Sequence, residues 1–179
     1  MAVIDSAAAA PAALARGATL IQLRMPGSPA RALEKEARAL VPTAVVPVLV
    51  GSRADVALAV GAIGVHLPEA DIPVAAARRL LGDRLVGRSV HSLAAARQAA
   101  EEGADYVVFG PIYESSSHPG RSAVGVEALR EVCAAVRLPV LAIGGVAGDR
   151  IEECRAAGAA GFAGIQTFKT SGQPPHPAA

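Results

Sequence analysis

Aromatic residues are scarce: the 179-residue chain has no tryptophan, two tyrosines and three phenylalanines. That excludes a platform of stacked aromatics for single-stranded nucleic acid. Cysteine is scarce too. Cys133 and Cys154 are the only two, both in helix-like segments, too few for a disulfide framework. They read as buried thiols in a reducing compartment. Neither sign of charge dominates, with 17 basic residues against 16 acidic ones and a net charge of +1. The basic residues are scattered, so no strong field recruits nucleic acid or an anionic membrane. No apolar run reaches the roughly 18 residues that a membrane-spanning helix needs. The opening "MAVIDSAAAAPAALARG" lacks a basic segment followed by a long apolar one, so no secretory signal is expected. The expectation is a cytoplasmic protein with no nucleic-acid or membrane partner.

What the chain does have is aliphatic side chains. Hydrophobic residues make up 52% of it, which excludes disorder of the whole chain. Ala, Val, Leu and Ile must build the core, a mix suited to buried parallel strands under alanine-rich helices. The length suits one domain.

Short apolar runs alternate with alanine-rich stretches of helical period. The runs predict strands over 2–5, 19–24, 45–50, 63–67, 84–90, 105–110, 138–145 and 161–166. Helices are predicted over 7–17, 28–40, 52–61, 73–82, 92–103, 125–136 and 148–158, several with a serine cap before them or a glycine after. Strict alternation gives an α/β protein with a parallel sheet. Eight such units point to a closed (β/α)8 TIM barrel. The barrel is minimal, because "TFKTSGQPPHPAA" after the eighth strand is too rich in proline and glycine for an eighth helix. Residues 1–168 are expected to form the barrel and 169–179 a flexible tail. A second copy of the chain is the expected cover where the helix is missing, making a homodimer.

A barrel of this kind carries its site at the carboxyl ends of its strands. Those ends bring together Gln22 and Arg24, His66, Glu69 and Asp71, Ser89 and His91, a long loop from Gly110 to Gly125, Gly144-Gly145, and Gly164 with Gln166 and Thr167. The glycine pair lets backbone N–H groups approach an anion at the start of a helix. Arg24 is a fixed cation for a phosphate or carboxylate. Asp71 reads equally as a Mg²⁺ ligand or a helix cap. Ser89 donates either to a phosphate or to adjacent backbone. His66 and His91 read as structural. His118 differs, because it shares a long loop with Ser115, Ser116 and Ser117, where an imidazole serves as acid or base near neutral pH. A Ser-His-Asp hydrolase is a weak reading, since the chain has no GxSxG elbow.

The ordered segments "IQLR", "RADVALAVGAIGVHLPEAD", "GRSVHS", "GADYVVFGPIY", "PVLAIGGV" and "AGAAGFAGI" resemble the thiamin phosphate synthase family, which includes the TenI-like thiazole tautomerases. The resemblance covers residues 2–168. It implies a barrel enzyme of thiamin biosynthesis acting on a small phosphorylated heterocycle, a thiazole phosphate. The synthase joins a pyrimidine diphosphate to that thiazole with Mg²⁺ and releases pyrophosphate. The tautomerase moves a proton within a thiazole carboxylate phosphate and needs no cofactor. Carried over from the synthase are Gln22 and Arg24 for the diphosphate substrate, Asp71 for Mg²⁺, Ser89 for the diphosphate, and Gly144-Gly145 for the thiazole phosphate.

The chain departs from the synthase pattern at four places. Met25-Pro26 stands for Glu-Lys, Gly51-Ser52 for Asn-Asp, Ser115-Ser116-Ser117-His118 for Thr-x-Thr-Lys, and Gln166 for a serine. One magnesium carboxylate and two lysines are thereby replaced, which weakens electrostatic help for a departing diphosphate. The expectation therefore ranks the tautomerase first, with His118 and Arg24 as catalytic residues. Ser115, Ser117, Gly164 and Gln166 join the phosphate-binding set. The synthase with Mg²⁺ stands second, and a non-catalytic phosphate binder third. One residue speaks for the synthase: Pro111 follows the strand-six glycine, where a tautomerase carries histidine.

Overall fold

The computed structural model describes residues 1–115 and 122–169. Eight strands run in sequence order around one parallel sheet: β1 (Ala2–Ile4), β2 (Ile21–Leu23), β3 (Val48–Gly51), β4 (Gly64–Leu67), β5 (Leu85–Val90), β6 (Tyr106–Phe109), β7 (Val140–Ile143) and β8 (Gly161–Ala163). The sheet closes on itself. Val3 N–H donates to Gly164 O at 2.9 Å, and Gly164 N–H donates to Met1 O at 3.1 Å. Seven α-helices alternate with the strands among the described residues: α1 (Ala10–Ala15), α2 (Ala30–Leu40), α3 (Ala54–Val60), α4 (Val74–Leu81), α5 (Leu93–Glu101), α6 (Gly125–Ala135) and α7 (Arg150–Ala156).

Local chemistry explains these elements. Helix α2 buries Leu33, Ala37 and Leu40, a stripe at helical spacing. Ser92 caps α5 by accepting from Ala95 N–H at 3.1 Å. Gly61 ends α3 in the left-handed region at φ 71°. The strands alternate their side chains between two cores. Ile21, Leu23, Val50, Val65 and Leu67 face the helices, while Val3, Leu49, Tyr106, Val108 and Ala163 fill the barrel interior.

Many boundaries shift by one to three residues from those predicted, and three of the shifts bear on the architecture. The first helix opens with a 3-10 turn at Ala7–Ala9, and the α-helix proper starts at Ala10, with a proline in its first turn. Strand β3 starts at Val48 rather than Val45, whose side chain is exposed. Strand β8 ends at Ala163, not at Gln166, because Gln166–Phe168 coil into a 3-10 turn. That turn follows β8, and no eighth α-helix lies among the described residues. The turn buries Phe168 against Phe162, the ring centroids 5.8 Å apart. The tail from residue 170 onward, predicted flexible, lies outside the described residues.

The amino ends of the strands are stapled by side chains. Arg78 donates to the carbonyls of Gly82, Arg84 and Gly103 and pairs with Asp105 at 2.5 Å. Asp105 also accepts from Val86 N–H at 2.6 Å. These groups are consumed in fixing the frame, which leaves the carboxyl ends for chemistry. No helix among the described residues is long and apolar enough to cross a membrane.

Candidate active site

Two adjoining cavities open at the carboxyl ends of the strands. The larger has a volume of about 750 Å³ and is lined by Gln22, Arg24, His66, Glu69, Ser89 and His91 among others. The smaller, about 460 Å³, is lined chiefly by the turn after β7 and the segment after β8. They share Ser115, Ile143, Gly144 and Ile165.

Strand alternation aims the polar groups inward. Gln22 sits between the outward-facing Ile21 and Leu23 and is 4% exposed. His66 sits between Val65 and Leu67 in the same way and is 3% exposed. Arg24 leaves the end of β2, its backbone N–H held by Ile4 O at 2.8 Å. Arg88 reaches out of β5 to the carbonyls of Glu69 at 2.6 Å and Ile72 at 2.8 Å. It thereby fixes the loop after β4. On that loop the Glu69 carboxylate pairs with His91 Nδ1 at the rim. Asp71 lies on it too, outside the lining of both cavities, and its carboxylate accepts from Ile72 N–H at 2.7 Å.

The floor of the larger cavity is a chain of polar contacts. His66 Nδ1 meets Tyr106 Oη at 2.9 Å, and Nε2 meets Ser89 Oγ at 2.8 Å. Burial pushes the imidazole down to about 3, and the nearby Arg24 and Arg88 charges push the same way. His66 is therefore neutral at any working pH. Burial drives the Tyr106 phenol upward, so it stays protonated.

Neutral burial makes a stability prediction. The unfolded chain takes up a proton on His66 near 6.5, while the native state does not do so until about 3. Stability is thus fully present above about pH 6.5 and falls at lower pH, by up to about 1.4 kcal/mol per unit. Urea unfolding between about pH 5 and pH 7 will show this slope in the parent and lose it in His66→Gln. A parent stability flat across that window would contradict the burial of a neutral imidazole.

The smaller cavity forms around a glycine turn. Gly144 and Gly145 have φ of 92° and 66°, and a Cβ on either would strike the loop after β6. That loop is bonded to the same turn, with Ile112 N–H donating to Ile143 O at 2.8 Å and Tyr113 N–H to Gly144 O at 3.0 Å. Arg150 lies 4.4 Å above the Tyr113 ring and donates to Gly145 O at 3.0 Å. Tyr113 Oη in turn meets Glu153 at 2.5 Å. Gly164, Gln166 and Thr167 form the opposite wall. Close backbone approach and few carboxylates suit an anion with several oxygens.

Of the predicted site residues, Gln22, Arg24, Ser89, Ser115 and Gly144 come together in the larger cavity. Ser115, Gly144, Gly145, Gly164 and Gln166 meet in the smaller. Ser117 and His118 lie outside the described residues. Cys133 and Cys154 are free thiols, one half-buried and one buried. Thr167, named by sequence with Gly164 and Gln166 at the end of strand eight, joins them there, whereas sequence reading passed over Tyr106. Tyr106 lies within an apolar strand and carries no local mark of a polar task.

Fold and site define a class: a small (β/α)8 barrel with two joined polar cavities at its mouth. Comparison with known proteins then gives the family. The model of the thiamine monophosphate synthase family matches residues 3–168, and the chain belongs to that family. It is 41% identical to the "Putative thiamine-phosphate synthase 2" of Aquifex aeolicus, over 87% of this chain and 85% of that protein. It is 45% identical to the "Thiamine-phosphate synthase" of Anaeromyxobacter dehalogenans, over 95% of this chain and 78% of that one. Among solved structures, "Thiamine phosphate pyrophosphorylase from Pyrococcus furiosus" superposes with a TM-score of 0.82 at 32% identity, covering 92% of this chain and 84% of that one.

Proposed function

We propose that this chain is a thiamine-phosphate synthase, joining a pyrimidine diphosphate to a thiazole phosphate with release of pyrophosphate. The observation that carries the reading is the doubled cavity, about 750 Å³ beside about 460 Å³, joined at Ser115, Ile143, Gly144 and Ile165. Two anionic substrates that react with each other need two anion sites at one mouth. A tautomerase needs room for one heterocycle only. The names of the relatives above support the same reading. The ordering expected from sequence is thus reversed. The tautomerase reading leaned on His118 from far along its loop, while Pro111 occupies the position after Gly110.

In this reading Arg24 and Ser89 hold the diphosphate, and the buried Gln22 amide reads the pyrimidine edge. The N–H groups of the Gly144-Gly145 turn and the wall from Gly164 to Thr167 hold the thiazole phosphate. Fixing both rings in contact removes most of the entropy of a bimolecular encounter. The carbon–oxygen bond to the diphosphate breaks, and its electron pair leaves on the diphosphate. The thiazole ring nitrogen supplies the pair for the new carbon–nitrogen bond. Arg24 faces the charge that grows on the leaving group.

The family implies Mg²⁺. Asp71 is the remaining carboxylate of the pattern, and Ser52 stands at the other position with φ 63°. Among the described residues no three His, Cys, Asp or Glu side chains form a cage. Mg²⁺ is commonly held by one or two carboxylates plus substrate phosphates, so Asp71, on the loop after β4 but outside the cavity lining, would hold an ion that arrives with the diphosphate only by turning its carboxylate from Ile72 N–H toward the mouth. When bound, the ion supplies charge neutralisation to the diphosphate.

The test is direct. Pyrimidine diphosphate, thiazole phosphate and Mg²⁺ together should yield thiamin phosphate and pyrophosphate in equal amounts. The thiazole carboxylate tautomer alone should isomerise no faster than without protein. Isomerisation without condensation would restore the tautomerase, and binding of both ligands without turnover would favour the non-catalytic binder.

A further inference from the structure

The polar contacts beneath the larger cavity have a direction that the established family role of the barrel does not supply. We propose that Tyr106 acts through His66 on Ser89: the phenol donates to Nδ1, Nε2–H donates to Ser89 Oγ, and the serine O–H is thereby held out toward an anionic oxygen of a bound diphosphate. Tyr106 and His66 are positioning residues in this scheme, and neither touches the ligand. The role of the anion rests on the synthase reading above.

Three observations carry it. The first is register. His66 pairs with Gly87, and Gly87 pairs with Tyr106. His66 and Tyr106 are thus two strands apart on one interior layer, with a glycine between them. The Tyr106 ring covers that glycine so closely that a Cβ on Gly87 would lie 2.1 Å from Cζ. Only a residue without a side chain lets the phenol cross to the imidazole. The two rings stack with centroids 5.5 Å apart.

The second is proton bookkeeping. A neutral imidazole has one N–H and one acceptor nitrogen. The Tyr106 hydroxyl has two acceptors in reach, His66 Nδ1 at 2.9 Å and Met1 Sδ at 4.0 Å. A thioether sulfur is a weak acceptor, so the imidazole takes the proton donor. Nδ1 then carries no hydrogen, and Nε2 does. The third is the ligand. Diphosphate oxygens accept and do not donate, so they select the serine rotamer in which Oγ accepts from His66 and donates to the cavity.

Two measurements test the relay. In the unaltered protein with inorganic pyrophosphate, nitrogen NMR of the His66 ring, assigned by its loss in His66→Gln, should find the proton on Nε2. A proton on Nδ1 in that state overturns the proposal. Pyrophosphate affinity should fall about 10-fold in Tyr106→Phe and by a similar factor in Ser89→Ala. The double variant should be no weaker than Ser89→Ala alone, because the tyrosine then has no hydroxyl to position. Additive losses would mean that Tyr106 only supports packing, and would also overturn it. So would a protein that binds no pyrophosphate. If the tautomer and the cycle come out as stated while no thiamin phosphate forms, the relay stands and the synthase reading falls.

Discussion

Arg24→Ala should lower kcat/KM for the pyrimidine diphosphate by about 100-fold to 1,000-fold. The size follows from truncating one partner of a desolvated charge pair, which costs about 3–4 kcal/mol. Arg24 lines the larger cavity, and the sequence departs from the family pattern at both residues that follow it, Met25 and Pro26. With the usual lysine gone, more of the leaving-group charge falls to Arg24. The loss should appear in kcat as well as KM, because charge on the diphosphate grows as its bond breaks. Arg24→Lys should recover only part of it, since an ammonium keeps the charge but not the planar fork. Steady-state kinetics with each substrate varied in turn checks this. A loss below about 10-fold would take Arg24 out of the diphosphate site.

The second large effect concerns the glycine turn. Gly144→Ala should raise KM for the thiazole phosphate by at least about 10-fold and lower stability by about 2–4 kcal/mol. Two costs add. At φ 92° an alanine is strained, and its Cβ would lie 2.5 Å from Pro111 Cβ. Pro111 cannot move freely, because its carbonyl accepts from Val124 N–H at 2.8 Å and the next residue is bonded to Ile143 O. The turn must shift instead, and its N–H groups leave their aim. KM for the pyrimidine diphosphate should rise less, because Gly144 also lines the larger cavity but Arg24 and Ser89 there are untouched. That contrast separates a spoiled cradle from general unfolding. If Gly145→Ala, whose site lines the smaller cavity alone, raises both KM values equally, the smaller cavity is not a separate phosphate site.

The particulars show what sequence can carry. Alternation of aliphatic runs with alanine-rich stretches identified the barrel, because period and punctuation are local properties of the chain. The proline-rich stretch after strand eight argued against an eighth helix for the same reason, and none lies among the described residues. Strand-end order placed Gln22, Arg24, Ser89 and Gly144 near one another, since the topology of a closed barrel leaves little choice. The ranking of activities rested on a different kind of signal, and the relatives favour the synthase that it placed second. It counted the replaced lysines and the replaced carboxylate as lost electrostatics. It had no means of seeing that a second cavity, lined by the Gly144-Gly145 turn and the segment after β8, adjoins the first.

His66 marks the boundary most clearly. As a histidine in an apolar strand it read as structural, and its burial agrees with that. Its partners lie 40 and 23 residues away in sequence. They meet it because β4, β5 and β6 share one register and Gly87 is the gap between them. Hydrophobic period and turn chemistry are written into short stretches, so the sequence by itself determined the barrel, its order of strands and the identity of the groups at their ends. Register and shear emerge only when eight strands close together. Tertiary structure alone therefore decided which of those groups touch, which nitrogen faces which hydroxyl, and that the mouth holds two cavities instead of one.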